Sequence, residues 1–147
     1  MIQKIYQIEI NAPAKKVRHT MLDDKTYRIW TLVFNPAGSW FEWDWSEDSQ
    51  ITFLGPNPEN LKEIWWLFAI VEENKLYQYI SLAYQGEIEN GDLVPWNRDW
   101  MYEKYIFTET NWITKLEIKL DTEKEWSDFM DSHRPLGLQK IKELAEK

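Results

Sequence analysis

The sequence predicts an α+β domain in which a curved antiparallel sheet of about six to seven strands wraps a long C-terminal helix around an internal cavity. Three observations predict it. Apolar residues alternate with period two in most segments up to residue 120, the period changes to about 3.6 after residue 123, and two short helical stretches follow the first alternating segment.

In residues 2–11, Ile2, Lys4, Tyr6, Ile8 and Ile10 share one face and Gln3, Ile5, Gln7 and Glu9 the other, which predicts a half-buried strand with the even face inward. Asn11 is the expected N-cap of the next helix, and Pro13 suits its first turn. Val17, Thr20 and Met21 form a short amphipathic stripe. Asp23-Asp24 interrupts it, and a second short helix carries Tyr27 and Trp30. Residues 40–45 read as a strand and 50–54 as its hairpin partner, with Gly55-Pro56-Asn57-Pro58 expected to turn the chain. Residues 63–71 are the next strand. Glu72-Glu73-Asn74-Lys75 is the expected turn into a strand over 76–88, in which Ile80, Leu82 and Tyr84 face one way.

Asn90-Gly91 is a tight-turn pair, and a polar loop through Pro95-Trp96-Asn97 leads to a strand over 100–108. Thr110-Asn111 turns into the clearest alternation of all: Trp112, Thr114, Leu116, Ile118 and Leu120 face inward, opposite Ile113, Lys115, Glu117 and Lys119. Asp121 or Thr122 is the expected cap of the final helix. On that helix Trp126, Phe129, Met130, His133, Gly137, Ile141 and Leu144 fall near one face, with Pro135 expected to kink or split it. A single striped helix is the one element long enough to cover the open sheet face, and packing it across a bent sheet leaves a cavity. Length fits one domain over residues 1–147.

Composition narrows the function. Net charge is −8 at pH 7, which disfavours phosphate backbones, so no nucleic-acid partner is expected. There is no Cys, which excludes a disulfide framework and a thiolate zinc site. The start alternates instead of forming an apolar signal core, and no apolar run is long enough for a membrane span; a mature, soluble, cytoplasmic chain is the expectation. The ten Trp, seven Tyr and six Phe suit a thick core, a lined pocket or a sticky interface, with core packing the larger expected share.

The stretches IEINAPAKKVRHTMLDDKTYRIWT (residues 8–31), FNPAGSWFEWDWSEDSQITFLG (34–55), YQGEIENG (84–91), YEKYIFTETNWITKLEIKLD (102–121) and PLGLQKIKELAEK (135–147), taken in order, resemble the SRPBCC (START-like, helix-grip) superfamily. Within it they are similar to the branch of activators of the heat shock protein 90 ATPase. The resemblance spans nearly the whole chain and implies a deep hydrophobic cavity gripped by the last helix. Relatives often carry a small residue where this chain has Trp43, which bears on the size of that cavity. Members of the superfamily include lipid carriers, hormone receptors, cyclases and resistance proteins, so the fold does not settle the function and no catalytic residue is carried over.

The residues themselves offer a few polar candidates. His133 lies on the apolar stripe of the last helix, either as an acid or base facing the cavity or as a packed histidine beside the Pro135 kink. Glu103 shares a strand face with Met101, Tyr105 and Phe107. If that face is inward, it is a buried carboxylate; the alternative inward face is Tyr102, Ile106 and the stem of Lys104. Glu42 and Asp44 face out by alternation, and His19 belongs to the surface. Gly137, one turn beyond His133, is expected to leave a hollow in the helix surface.

A cavity wall of Tyr84, Glu103, Tyr105, Trp126, Met130 and His133 is therefore expected, with no metal site, no cofactor and no catalytic residue. The leading expectation is a binding module for a small apolar or aromatic molecule. A co-chaperone-like domain that docks a chaperone or another protein is the second, and a cyclase- or hydrolase-type enzyme using His133 or Glu103 the third.

Overall fold

The computed structural model describes residues 1–89, 92–97 and 99–147. The predicted turn pair Asn90-Gly91 lies outside the described residues. The chain runs β1 (Ile2–Ile10), α1 (Ala14–Leu22), α2 (Asp24–Trp30), a 3-10 turn (Thr31–Val33), β2 (Trp40–Glu42), β3 (Gln50–Asn57), β4 (Asn60–Lys75) and β5 (Tyr79–Glu89). It continues through β6 (Asp92–Pro95), β7 (Met101–Thr110), β8 (Ile113–Thr122), a second 3-10 turn (Lys124–Trp126) and α3 (Ser127–Ala145). All strands join one antiparallel sheet in the order β1-β8-β7-β5-β4-β3-β2, and β6 pairs with the far end of β5. Eight strands stand where the sequence predicts six or seven; the one without a predicted counterpart is the short β6.

Alternation positions this sheet. Ile10 on β1 opposes Thr114 on β8 and Tyr6 opposes Ile118, so the even faces of both strands look inward together. The same face of β7 carries Glu103, Tyr105 and Phe107, all buried, whereas Tyr102 is exposed. The register of β4 against β5 shifts between Phe68 and Ala69 and again between Val71 and Glu73. Such extra residues bend a strand and raise its twist, which curves the sheet. α3 crosses the concave side, burying Leu138, Ile141 and Ala145 beside Val17 and Met21 of α1. Polar ties hold it to β1: the Tyr6 hydroxyl donates to Asp131 at 2.7 Å, Lys4 reaches Asp131 at 3.0 Å, and the Asn11 N–H donates to Glu146 at 2.8 Å.

Several local expectations are corrected. Pro13, not Asn11, holds the N-cap position of α1 and offers no side-chain cap; the Ala14 N–H is satisfied instead by Glu109 of β7 at 2.7 Å. Neither Asp121 nor Thr122 caps the last helix, because β8 runs through Thr122 and the 3-10 turn intervenes. β3 continues through Gly55-Pro56. A side chain at Gly55 would come within 2.9 Å of Asn35 Nδ2 and 3.0 Å of the Gly38 carbonyl, so the glycine serves close approach of the 35–39 loop, and the turn falls at Pro58-Glu59.

The β4–β5 turn lies at Leu76–Gln78, with Tyr77 at φ 62°, because Glu72 and Glu73 are solvent-facing strand residues around a bulge. The strand predicted over 40–45 stops at Glu42, since Trp43 takes φ 91° and breaks the alternation. Trp112 sits at φ 66° in the β7–β8 turn and is 71% exposed, not inward. α3 stays continuous through Pro135. Among the described residues no helix is long and apolar enough to cross a membrane.

Candidate functional site

One buried charge pair organises the interior. Glu103 points inward by the alternation of β7, opposite Leu120 of β8 and Leu82 of β5, and is 5% exposed. The third turn of α3 brings Arg134 to it, with Nη2 2.7 Å from Glu103 Oε1. The guanidinium also lies over the Phe34 ring, 5.2 Å from its centroid. Burial by itself pulls the Arg134 pKa down, but Glu103, with Tyr105 and Tyr84 behind it, outweighs that and the net shift is upward. Burial raises the phenols of Tyr27, Tyr84 and Tyr105, the Glu103 charge adds to the rise, and Arg134 opposes it, so all three stay neutral. The pair is not saturated. Among the described residues Arg134 Nε has no hydrogen-bond partner, and Glu103 Oε1 makes its close contact without a well-directed hydrogen bond.

Two cavities meet at this pair. The first, about 310 Å³, lies between the sheet and the start of α3, against Tyr84, Met101, Glu103, Trp126, Met130 and Arg134. The second, about 250 Å³, is bounded by Tyr27, Phe34, Phe53, Tyr84, Tyr105 and Arg134. They share Leu67, Tyr84 and Arg134, which makes Arg134 the waist between two lobes. The second lobe is walled by edge-to-face and tilted aromatic contacts: Tyr27 meets Phe41 at 5.0 Å and Trp30 at 5.5 Å, and Phe53 meets Tyr84 at 5.7 Å.

Of the six residues expected at the wall, Tyr84, Glu103, Trp126 and Met130 line the first lobe, and Tyr105 lines the second with Tyr84. His133 is among the lining residues of neither. Its ring stacks on Phe129 at 4.0 Å, and its Nδ1 lies 2.8 Å from the Phe129 carbonyl, one turn back on the same helix. Trp126 is 52% exposed in the 3-10 turn, so it forms a rim instead of joining the buried stripe. The expected hollow at Gly137 is closed: a Cβ there would meet the Phe34 ring at 3.0 and 3.2 Å.

Arg134 escaped the sequence reading. The helical stripe points to His133, and its neighbour is rotated about 100° away from it. The signal was present nonetheless. An inward Glu103 requires a cation, and Arg134 is the one arginine in the terminal helix.

Half of the ten tryptophans face solvent and two are buried. Trp43, Trp65, Trp100, Trp112 and Trp126 are exposed, against the expectation of mostly core indoles. Trp30 and Trp45 are buried and donate their indole N–H groups to the carbonyls of Met21 and Leu22 at 2.9 and 3.0 Å. Trp43, the residue that bears on cavity size, is 72% exposed and fills no interior volume. Among the described residues no three His, Asp or Glu side chains converge on a metal-sized point.

No family model matches the chain and no curated protein matches its sequence. Solved structures do match. A protein from Arthrobacter aurescens superposes with a TM-score of 0.75 at 11% identity, over 97% of this chain and 85% of the other. One from Chromobacterium violaceum gives 0.73 at 13% identity, over 99% and 97%. An AHSA1-like protein from Aeromonas hydrophila gives 0.68 at 12% identity, over 97% and 92%. At these identities the likeness is one of fold: the chain adopts the helix-grip architecture that an AHSA1-like protein also has.

Proposed function

We propose that this protein, acting as one domain, binds a small apolar or aromatic molecule in the two-lobed cavity between α3 and the curved sheet. The observation that carries the reading is the waist. Two lobes of about 310 and 250 Å³, the second largely aromatic, meet at one buried ion pair, which is the composition of a ligand pocket: mainly apolar surface with fixed polar groups. Tyr84, Glu103, Tyr105, Trp126 and Met130 form the proposed wall, Arg134 joins them, and His133 stacks on Phe129 outside it. Catalysis is not part of the proposal.

The test is a fluorescence titration with an apolar naphthalene probe. Met130→Trp should occupy the first lobe and weaken binding by about tenfold or more while the protein still folds. Absence of binding by the unmodified protein would remove the reading.

A second reading is supported by the surface. Trp65, Trp66, Leu67, Ile88 and Trp126 border an open groove of about 870 Å³ beside the cavity, and Trp65 and Trp126 are exposed. Exposed aromatic surface of this kind suits protein docking, in keeping with the fold shared with an AHSA1-like protein. Co-purification of a chaperone that is lost in a Trp65→Ala/Trp126→Ala protein would favour it.

A further inference from the structure

We infer that the cavity selects ligands whose polar group is uncharged and carries a hydrogen-bond acceptor, seated on Arg134 Nε at the waist between the lobes. This rests on the ligand-binding reading above and adds to it the chemistry of the ligand.

The argument begins with the unsatisfied donor. Arg134 lines both lobes, and its Nε is buried without a hydrogen-bond partner among the described residues. A buried N–H of a charged group left without an acceptor is costly, and native structures rarely keep one without a use for it. The neighbouring groups do not supply an acceptor. Glu103 Oε1 lies 2.7 Å from Nη2 without a well-directed hydrogen bond and makes none to Nε, and the face of the guanidinium lies over Phe34. Arg134 borders both lobes, so an acceptor entering from either one comes next to its guanidinium.

The charge of the ligand follows from the same pair. Glu103 and Arg134 together are neutral, and burial surrounds them with Tyr27, Tyr84 and Tyr105, all held in the uncharged form. A carboxylate on Nε would add a negative charge beside Glu103 in a lobe that Glu87, Asp121 and Glu123 also line, and an ammonium on the same spot would stand against the Arg134 guanidinium itself. A ketone, ester, amide or similar neutral acceptor completes the hydrogen bonding without adding charge. The rest of the ligand then lies against Met130 in the first lobe or among aromatic rings, Phe53 included, in the second.

The experiment uses four probes that share one ring system: naphthalene, methyl naphthyl ketone, naphthoate and naphthylmethylammonium. Each is titrated against the full chain and against a Glu103→Leu/Arg134→Met double variant. The expected order has the ketone binding about tenfold tighter than naphthalene, the size of one hydrogen bond to a charged donor, and tighter than either ion. In the double variant the ketone-to-naphthalene ratio should fall to near one.

If no probe binds the unmodified protein, the cavity reading falls and this inference with it. If the probes bind but the ketone has no advantage, or an ion binds best, the cavity reading stands and the inference is overturned. A ketone preference that survives in the double variant also overturns it, because the acceptor is then held elsewhere. Should the double variant fail to fold, the Arg134 Nε–H resonance of the unmodified protein decides. It should move with the ketone and not with naphthalene, and equal movement, or none, counts against the assignment.

Discussion

Glu103 and Arg134 are worth more to each other than either is to the fold. Each is out of water, and their attraction offsets the loss of hydration only while both are present. Removing one partner, as in Arg134→Met, leaves an uncompensated carboxylate and should destabilise the protein by about 3–5 kcal/mol. The double replacement Glu103→Leu/Arg134→Met should cost far less, or nothing. Urea unfolding of the two single variants and the double variant checks this, and a double variant no better than its worse parent would refute it. Gly137 gives a second prediction at this scale. Because Phe34 already occupies the space beside it at 3.0 Å, Gly137→Leu overpacks the helix–sheet seam and should lower stability by about 1–3 kcal/mol in thermal melts.

At the scale of elements, α3 holds the most consequence and the most evident weakness. Pro135 is exposed and lies inside a continuous helix, so it removes one ladder hydrogen bond one residue after the charged waist. Pro135→Ala loses no packing, restores the N–H and should raise the melting temperature, since proline in a helix interior is about 3 kcal/mol less favourable than alanine. If ligand entry uses this weak point, the same variant should also slow probe association in stopped-flow traces without changing the bound-state contacts. Deleting residues 123–147 is the harsher test. It exposes the concave sheet, strips Leu138 and Ile141 from the core and orphans Glu103. Each large apolar side chain contributes about 1.5–3 kcal/mol, against a typical total stability of roughly 5–15 kcal/mol. The expected product is insoluble or molten, and a soluble fragment with a cooperative melt would speak against α3 as the clamp.

For the whole molecule, charge sets the range of stability. The carboxyls of Asp131 and Glu146 both tie α3 to the β1 side of the sheet, and both are held below the usual range. For Asp131 the causes are the Tyr6 hydroxyl first and then Lys4; for Glu146 they are Lys142 first and then the Asn11 N–H. A depressed folded pKa means that the unfolded chain binds more protons as the pH falls, so this stabilisation is present above about pH 4 and is lost below it. The phenols of Tyr27, Tyr84 and Tyr105 act at the other end. Their folded pKa values are raised, so their contribution is present below about pH 10 and is lost as the pH rises through the folded values. Stability should therefore form a plateau with an acid and an alkaline edge. Urea midpoints across pH check it, and an Asp131→Asn/Glu146→Gln protein should show a shallower acid edge.

The alternation of β1, β7 and β8 and the 3.6 period of α3 were legible in the sequence, because strand and helix faces are local properties of neighbouring residues. Alternation left two candidate inward faces on β7, and the structure buries the one that carries Glu103. Turn positions were less legible. Gly55-Pro56 and the Glu72-Glu73 stretch look like breaks in composition, yet both lie within strands, where a close-packed loop and a bulge accommodate them.

Only the tertiary structure decided that Arg134, and not His133, faces the interior charge, that Phe34 fills the place beside Gly137, and that half of the tryptophans face solvent. The reason is that period assigns a residue to a face and says nothing of what that face meets. The bend of the sheet and the rotation of α3 about its own axis set those meetings. Both are fixed by packing among residues more than a hundred positions apart, such as Tyr6 with Asp131.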